Sequence, residues 1–358
     1  RGFVASKVDP CMFISRKVVI CSYVDDLTIY AMTQRPIDDL LESFRNDGDQ
    51  YNWEMTVEGS VHEFLGINIE RNGNKWKMTQ TGLINNVLKA TNMTNCNAKD
   101  SPTESDGQPL GSHKNSRPAK EDWSYSSVVG MLLYLASNSR PDISFAVHQC
   151  ARFTHNPREI HEKALLRICR YLKGTLHDGL IYEPSEEINV DCYCDADFAA
   201  LHGIEASDDP NSAKSRTGYV ITIANCPVLW VSKLQTEIAL STLESEFIAL
   251  SSSFRSLIPV KRLIEETLSG LDIKTQVRYS SKSTVFEDNA GALQLATTKR
   301  LTPRTRHIAT KYFWFLKHVD EGLATIVKVE SSQNKSDAFT KSLKPQEFIR
   351  ARKLLCGW

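Results

Sequence analysis

The sequence predicts an α/β protein, and three observations support this fold class. Apolar and β-branched runs predict two strands, at residues 18–24 and 27–30. Residues 123–175 have helix-like periodicity that is broken at Pro141 and Pro157, which predicts two or three helices. The segments beyond them follow the order βββαβαβα, which predicts a mixed sheet with helices packed against it.

The elements of that mixed sheet follow from periodicity and turn signals. Residues 99–120, rich in Ser, Pro, Gly, Asn and charged side chains, predict an irregular linker, and residues 201–214 predict a loop. The elements expected after the helices are an antiparallel meander of strands near 188–195, 215–223 and 228–232, a helical pair from about 240 to 269, a strand ending at Asp288, helices near 289–297 and 305–321, a strand at 324–330 and a last helix from 333.

Composition is that of an ordinary globular protein. The 358 residues, 41% hydrophobic and 24% charged, suffice for two or three domains with real cores. No run approaches the roughly 20 apolar residues of a membrane span, so no membrane partner is expected. The nine cysteines, an odd number without the paired spacing of a zinc site, predict reduced thiols, and Cys192 and Cys194 are expected in the core.

Positive charge is unevenly distributed, although the net charge is zero. From Arg140 to Lys173 there are seven Lys or Arg and three acids, and from Lys299 to Lys317 there are six Lys or Arg and no acid. Each segment is either a face that contacts phosphates or a helix with a solvated basic face. Both interpretations stay open on the sequence alone.

Four carboxylates near predicted strand or helix ends are the candidate catalytic residues. Asp195 ends an alternating strand-like run, and Asp288 closes another. Glu246 lies in a helical stretch, and Asp337 lies near the start of the last short helix. Acids in such positions are in general solvated or helix-capping residues, so their spacing alone does not choose between a site and a surface.

The helical stretch offers two glutamates, and the helical wheel favours Glu246. Leu243, Phe247 and Leu250 form one apolar face. Glu246 lies about 65° from the centre of that face, and Glu244 lies about 95° away on the other side. Glu246 is therefore better placed to reach the edge of a sheet beneath the helix.

Convergence of the four acids would suit phosphodiester hydrolysis with two metal ions. Two Mg²⁺ ions roughly 4 Å apart generate hydroxide and hold the attacking and leaving oxygens. Mg²⁺ prefers oxygen ligands and keeps several waters, so a carboxylate cluster completed by a substrate phosphate is the expected site. Mn²⁺ is the alternative ion.

The segments around these acids closely resemble, in order, those of copia-type LTR retrotransposon Pol polyproteins. The segments that resemble the RNase H domain are residues 195–198, 215–220, 230–235, 239–247, 287–289, 304–308 and 337–343. The segments that resemble the region joining polymerase to RNase H are residues 128–135, 140–147 and 170–175. The segments that resemble the polymerase are Tyr23-Val24-Asp25-Asp26, the palm strands 64–69 and 76–80, and the start of the thumb at 83–92.

The resemblance implies a division of the chain into parts. The expected parts are the C-terminal part of a reverse transcriptase palm with the start of the thumb at 1–100, a linker and helical connection at 101–185, an RNase H-like mixed-sheet domain at 186–345, and a C-terminal tail at 346–358. The palm remainder would be α+β, so the chain as a whole is expected to be α/β.

The resemblance also implies a function. The expected activity is that of an RNase H-type endonuclease, a two-metal hydrolase that cuts the RNA strand of RNA–DNA hybrids. Its catalytic residues and Mg²⁺ ligands would be Asp195, Glu246, Asp288 and Asp337. The candidate nucleic-acid contacts are Arg216, Lys233, Arg304, Arg306 and His307. The last three fit a structural role at a helix start slightly better, although His307 equally suits a contact with substrate. The expected compartment is the cytoplasm, within a virus-like particle in the parent element, with the nucleus as the alternative.

Asp25 and Asp26 are interpreted as the remnant of a polymerase site at the tip of a hairpin. In reverse transcriptases, the first Asp of this motif shares the catalytic metals with an Asp on an upstream strand, and 24 residues precede Asp25 here. The sequence therefore predicts no polymerase activity from these 358 residues alone. The missing N-terminal part of the reverse transcriptase is the expected partner that completes the site.

A second hypothesis is an inactive, truncated retroelement remnant that folds and binds nucleic acid without catalysis. The four intact acids favour the enzyme, and the missing part of the palm favours the remnant. Two departures from the family pattern, Phe198 in place of Trp and Phe247 in place of Tyr, each keep an aromatic ring.

Overall fold

A computed structural model describes residues 2–45, 55–104, 108–120, 122–205, 209–273, 276–299, 308 and 310–358. Within them the chain is a mixed α/β protein, which confirms the predicted fold class. Its strands form a small N-terminal sheet, a second sheet beside a helical bundle, and a five-stranded mixed sheet, with one further two-stranded ladder. Among the described residues, no helix combines the length and the apolar character that crossing a bilayer requires.

The N-terminal part is a four-stranded antiparallel sheet with one helix. Its elements are β1 (Val4–Ala5), β2 (Met12–Ile14), β3 (Val18–Tyr23), β4 (Asp26–Ala31) and α1 (Arg35–Arg45). The strands lie in the order β1-β2-β3-β4. Val18 and Ile20 alternate along β3, so both reach the same face and pack against Leu40 of α1. The predicted hairpin between β3 and β4 is present, and Val24 in its turn has a positive φ of 53°.

The middle part joins a second sheet to a helical bundle. Its elements are β5 (Glu63–Phe64), β6 (Ile67–Asn72), β7 (Lys75–Thr79), α2 (Thr81–Ala90), α3 (Tyr125–Asn138), a 3-10 turn at Pro141–Ile143, α4 (Ser144–Ala151), α5 (Glu159–Gly174) and β8 (Leu180–Tyr182). The predicted helix breaks near Pro141 and Pro157 are both present. No helix or strand lies in the described residues 99–104 and 108–120, as expected of a linker. The last strand, β8, pairs with β7 and completes the sheet β5-β6-β7-β8.

The C-terminal part contains the mixed sheet. Its elements are β9 (Glu187–Ile188), β10 (Val190–Asp197), β11 (Arg216–Ile223), β12 (Cys226–Leu234), α6 (Thr242–Gly270), β13 (Arg278–Tyr279), β14 (Ser283–Glu287), α7 (Ala290–Thr298), a 3-10 turn at Thr310–Phe313, α8 (Leu316–Asp320), β15 (Ala324–Lys328), a 3-10 turn at Ser331–Gln333, α9 (Asp337–Thr340) and α10 (Pro345–Cys356). The sheet order is β12-β11-β10-β14-β15. The first three strands are antiparallel, whereas β14 runs parallel to both β10 and β15.

Both faces of the mixed sheet are covered. On one face, Cys192 and Cys194 of β10 pack in a core with Phe247 and Phe254 of α6, which confirms that these cysteines are buried. On the other face, Val220 of β11 belongs to the core that holds the helical bundle. The central strands are therefore buried on both sides, as parallel strands usually are.

Three predicted elements differ from the structure. The helix expected near 305–321 is, within the described residues, a 3-10 turn at Thr310–Phe313 followed by the five-residue α8. The expected helical pair at 240–269 is one continuous helix, α6, with Pro259 inside it. Proline weakens a helix interior, but Leu257 and Ile258, which directly precede Pro259, are buried and hold the helix together through packing. The segment predicted as a tail, 346–358, forms most of α10, whose Phe348 is buried against the bundle.

A buried ion pair joins three parts of the middle region. The guanidinium of Arg140, fully buried, donates to both carboxylate oxygens of Asp142, from Nε at 2.9 Å and from Nη2 at 2.8 Å. It also donates to the carbonyl oxygen of Thr175 at 3.1 Å and lies over the rings of Tyr171 and Trp358. The hydroxyl of Tyr171 donates to Asp142 at 2.6 Å. This network links the turn after α3 to α5 and to the C-terminus.

The structure favours a structural role for most of the first basic segment, which the sequence left open. Arg140 is internal, and three further cations are paired with acids. These pairs are Arg152–Glu205 at 2.8 Å, Lys163–Glu159 at 2.9 Å and Arg167–Glu104 at 2.8 Å. Their charge is therefore largely balanced within the protein.

We expect Arg140→Met to lower the free energy of unfolding by about 3–5 kcal/mol, because it leaves the Asp142 carboxylate buried without its partner. Replacing both members, as in Arg140→Met with Asp142→Leu, should recover a large part of that loss. Urea denaturation of the three proteins measures both effects. A loss below about 1 kcal/mol in the single variant would show that the pair does not hold this region together.

Candidate active site

The parallel pairing of β10 with β14 brings two of the predicted acids together. Cys192 pairs with Val285 and Tyr193 with Phe286. The next pair in this register is Cys194 with Glu287, and the thiol of Cys194 indeed lies 3.3 Å from a carboxylate oxygen of Glu287. One residue further, the register places Asp195 beside Asp288. Asp195 lies two residues before the end of β10 and Asp288 directly follows β14, so both acids reach the same edge of the sheet.

A glycine opposite Asp195 lets the segment that carries Asp337 approach the sheet. Gly218 of β11 pairs with Asp195. A Cβ atom at Gly218 would lie 2.6 Å from Cγ2 of Thr340 and 2.9 Å from Cβ of Phe339, which no side chain tolerates without movement. The hydroxyl of Thr340 donates to Oδ2 of Asp195. The close approach of α9 therefore depends on the missing side chain of Gly218.

Helix α6 brings Glu246 to the same edge. Ser241 caps the helix by accepting a hydrogen bond from the backbone N–H of Glu244 at 3.1 Å. Phe247 is fully buried in the core, and Glu246 beside it is only 4% exposed. The carboxylate of Glu244 instead accepts from the backbone N–H of Leu240 at 2.7 Å, at the start of the helix. The structure thus places Glu246 in the acid cluster and Glu244 outside the two acid groups.

Five carboxylates form two overlapping groups. Oxygen atoms of Asp195, Asp288 and Asp337 all lie within 4.8 Å of one another, and so do oxygen atoms of Glu246, Glu287 and Asp288. Asp288 belongs to both groups. All four predicted acids are therefore brought together, and Glu287 is an additional member.

Glu287 is a site residue that was not predicted, although the strand periodicity of β14 indicates its burial. Side chains in β14 alternate between buried and half-buried, and Glu287 has the same parity as buried Ser283 and Val285. It is fully buried, and its carboxylate accepts hydrogen bonds from the backbone N–H of Asn289 at 3.0 Å and from the thiol of Cys194. The acid next to Asp288 is thus internal.

Burial and mutual repulsion raise the pKa values in the cluster. The pKa of Glu246 rises to about 11, mainly through burial and also through the charges of Asp195, Glu287 and Asp288. Burial likewise raises the pKa of Glu287 to about 8. The pKa of Asp337 rises to about 7 for the same reason, although the ammonium of Lys341 opposes this rise. Without a cation, the cluster therefore holds protons near neutral pH.

The donor set fits a hard divalent cation. All five side chains offer carboxylate oxygens, which Mg²⁺ and Mn²⁺ prefer. Oε2 of Glu246 is buried and lacks a hydrogen-bond partner among the residues that the structure describes. A buried, unsatisfied carboxylate oxygen is costly, and a bound cation would satisfy it.

The structure places the other predicted site residues differently. Arg216 is only 3% exposed, donates to Ser232 at 3.2 Å and lies over the ring of Phe145, and burial lowers its pKa to about 9. Packing between β11 and α4 therefore encloses Arg216, and its contact with nucleic acid stays a prediction from the sequence. Lys233 on β12 is exposed, as a nucleic-acid contact requires.

The five remaining candidates are not placed in this cluster by the described part of the structure. Asp25 and Asp26 are exposed at the hairpin between β3 and β4, as the polymerase-motif interpretation requires. Arg304, Arg306 and His307 lie outside the described residues. They stay candidates on the sequence alone.

Comparisons with known proteins point to one family. The family described as "Reverse transcriptase (RNA-dependent DNA polymerase)" matches residues 2–105. The chain is 31% identical to the retrovirus-related Pol polyprotein from transposon TNT 1-94 of Nicotiana tabacum, over 97% of this chain and 25% of that protein. It is 32% identical to a transposon Ty5-1 protein of Saccharomyces cerevisiae, over 66% of this chain and 72% of that protein. Among solved structures, an RNase H1 isolated from compost, LC11-RNase H1, is similar at 13% identity and a TM-score of 0.30, over 42% of this chain and 92% of that one.

The five-stranded sheet, with three antiparallel strands followed by two parallel ones and acids at one edge, has the arrangement expected of the RNase H-like domain of a retroelement polyprotein. The chain belongs to the family of copia-type retrotransposon Pol polyproteins. It spans about a quarter of the length of the full-length relatives that it matches, 25% of the tobacco protein and 22% of the RE1 polyprotein of Arabidopsis thaliana.

The raised pKa values predict how stability depends on pH. The folded protein keeps protons on Glu246 and Glu287 that the unfolded chain releases near pH 4.5, so the metal-free protein should lose stability as pH rises from about 4.5 toward 8. Glu246→Gln mimics the protonated acid. We expect it to exceed the parent in free energy of unfolding at pH 8 by at least about 1.4 kcal/mol, the equivalent of one pKa unit.

Unfolding measured in the presence of a chelator between pH 4 and pH 9 checks this expectation. Glu244→Gln is the matched control, because it removes an acid from the same helix outside the acid groups. A parent protein whose stability rises over this pH range would contradict the argument.

We expect Gly218→Ala to lower the free energy of unfolding by about 1–3 kcal/mol, because the new methyl group overpacks against Thr340 and Phe339. It should also weaken the stabilisation that added Mg²⁺ gives, since α9 carries Asp337. Gly130→Ala in α3 is the control: its Cβ would meet no atom within 4 Å, so the variant should be neutral or slightly more stable. Thermal unfolding with and without Mg²⁺ compares the two variants. Equal losses of stability in Gly218→Ala and Gly130→Ala would contradict the packing argument.

Proposed function

We propose that the RNase H-like domain of this chain cuts the RNA strand of RNA–DNA hybrids, as part of a retrotransposon reverse transcriptase polyprotein. The observation that carries the proposal is the convergence of Asp195, Glu246, Asp288 and Asp337, with Glu287, at one edge of the mixed sheet. Membership of the copia-type Pol family supports a nucleic-acid substrate. The two carboxylate groups that share Asp288 support a site for two cations.

The two carboxylate groups suit the geometry of a two-metal hydrolase. In such sites two cations lie about 3.5–4 Å apart, activate water and offset the negative charge that builds up on the phosphate. Asp288, which belongs to both groups, would bridge the two positions. Asp195 and Asp337 would hold one cation, while Glu246 and Glu287 would hold the other.

The surrounding residues hold these ligands in place. The hydroxyl of Thr340 orients Asp195, and the side-chain amide of Asn334 donates to the carbonyl oxygen of Cys194 at 3.1 Å, which fixes the segment before α9 against β10. Groups that orient metal ligands in this way commonly affect metal affinity or activity by about 10–100-fold.

Selection of a hybrid would come from the groove shape and from the 2′-hydroxyl groups of the cut strand. Among the candidates whose positions the structure describes, Lys233 is exposed on β12 and is therefore proposed to contact a phosphate. Arg304, Arg306 and His307 complete the proposed nucleic-acid contacts. In the parent element, we place this activity in the cytoplasm, within a virus-like particle, with the nucleus as the alternative.

The polymerase motif belongs to the polyprotein rather than to this site. Asp25 and Asp26 are exposed at their hairpin, where Asp25 could share catalytic metals with an acid from an upstream palm strand. We propose that polymerase activity is a property of the longer polyprotein.

Cleavage of an RNA–DNA hybrid in the presence of Mg²⁺ tests the nuclease proposal. We expect the parent chain to cut the RNA strand, and Asp288→Asn to lower the rate by more than about 100-fold, because loss of a shared ligand should exceed the effect of losing a supporting group. A labelled hybrid of defined sequence, resolved on a denaturing gel, gives the rate and shows which strand is cut.

Glu244→Gln is the matched control and should retain most of the parent's rate. Absence of cutting by a folded parent chain that binds hybrid would instead favour a remnant without catalysis. If Glu244→Gln abolishes cutting while Glu246→Gln spares it, the assignment of the helical acid is wrong.

A further inference from the structure

One cation of the protein lies inside the acid cluster. Nζ of Lys341 lies 3.0 Å from Oδ1 of Asp337 and 3.7 Å from Oδ2 of Asp195. Lys341 directly follows α9, so the short helix that delivers Asp337 to the sheet edge also delivers this ammonium. The two carboxylates that it touches belong to the group that Asp288 completes. The ammonium is thus a neighbour of the position that we assign to one divalent cation.

The two carboxylate groups differ in how they are neutralised. The group of Asp195, Asp288 and Asp337 has an ammonium in contact with two of its members. The group of Glu246, Glu287 and Asp288 includes Oε2 of Glu246, which lacks a hydrogen-bond partner in the described part of the chain. Oδ1 of Asp337 is also buried without a hydrogen bond in the described part of the chain, but it lies 3.0 Å from the ammonium of Lys341. The first group is therefore partly neutralised by the protein's own charge, whereas the buried Oε2 of Glu246 has no such contact among the described residues.

The side chain of Lys341 can move away from the two carboxylates that it contacts. Its side chain is 41% exposed, while the carboxylates that it touches are largely buried. An ammonium on a flexible four-carbon stem is a compact and strongly hydrated charge, so it moves readily from an ion pair to solvent or phosphate. The neighbouring contact between Thr340 and Asp195 does not involve Lys341, so α9 stays attached to the sheet when Lys341 moves.

We propose that Lys341 is a displaceable counter-ion that orders the filling of the two cation positions. The group of Glu246, Glu287 and Asp288 accepts a divalent cation first. The group of Asp195, Asp288 and Asp337 accepts one only when Lys341 withdraws, so its affinity is lower. Lys341 then lies at the rim of the site, free to contact a substrate phosphate. This inference rests on the proposed function for the identity of the cations.

Without the divalent cation, Lys341 has a stabilising role. It offsets part of the repulsion between Asp195 and Asp337, which lie within 4.8 Å of each other together with Asp288. Its removal should therefore have two opposite effects. The metal-free protein becomes less stable, while the weaker cation position becomes tighter because no ammonium competes for it.

Calorimetric titration with Mg²⁺ alone, without nucleic acid, tests the proposal on the full chain. We expect two classes of binding in the parent. In Lys341→Met, the weaker class should tighten by about tenfold, the change that a charge-assisted contact of ordinary strength would produce, while the tighter class stays unchanged. The thermal midpoint of the metal-free variant at pH 7.5 should fall below that of the parent.

Lys328→Met is the matched control. Lys328 ends β15 at the same edge of the sheet, in register with Glu287, and is exposed. The variant removes the same charge without a contact to Asp195 or Asp337, so neither class of binding should change by more than the effect of an exposed charge that solvent and salt screen. Lys341→Arg keeps the charge and should retain two classes of binding, which separates a charge effect from a packing effect.

Three results would overturn the inference: an unchanged or weaker second class in a folded Lys341→Met protein, equal effects of the two methionine variants, or no Mg²⁺ binding by the parent. Far-UV circular dichroism verifies that each variant is folded. Because the titration contains no hybrid, ordered Mg²⁺ binding by a chain that fails to cut hybrid leaves this inference standing and rejects the nuclease proposal.

Discussion

The parallel pairing of β10 with β14 is the constraint on which the candidate site depends. It sets the carboxyl ends of two strands side by side, and so it brings Asp195 and Asp288 close together even though their negative charges repel each other. Other features of the domain accommodate that placement. Gly218 leaves the space for α9, Thr340 holds one carboxylate by a hydrogen bond, and Lys341 supplies positive charge.

A cluster of this kind weakens the fold that contains it, and the surrounding packing compensates. The strands that carry the acids are buried on both faces, by α6 on one side and by the helical bundle on the other. Burial of apolar surface on two sides contributes far more than the repulsion of a few carboxylates costs. The bundle is in turn joined by the internal pair of Arg140 and Asp142. The acids are thus tolerated because the sheet beneath them is held from both sides.

Much of this architecture was predictable from sequence, because local patterns determine it. The strands of the mixed sheet, the breaks near Pro141 and Pro157, and the burial of Cys192 all follow from periodicity and turn residues. The preference for Glu246 over Glu244 follows from the helical wheel. What local patterns do not contain is the partner of a charged side chain. The internal position of Arg140, the enclosure of Arg216 and the contact of Lys341 with Asp195 all depend on segments brought together by folding. Glu287 is a different case, because its position in the alternation of β14 already indicates a buried side chain.

The pairing of β7 with β8 has a consequence for synthesis. β7 ends at Thr79 and its partner begins at Leu180, so about 100 residues must be made after β7 before that edge of the sheet can close. At about 5–20 residues per second, the edge waits for about 5–20 s after it is translated. An unpaired strand edge is a template for pairing with the wrong chain. The nascent chain therefore passes through a vulnerable interval set by its topology, and helices α2 to α5, made within that interval, are the parts available to shield it.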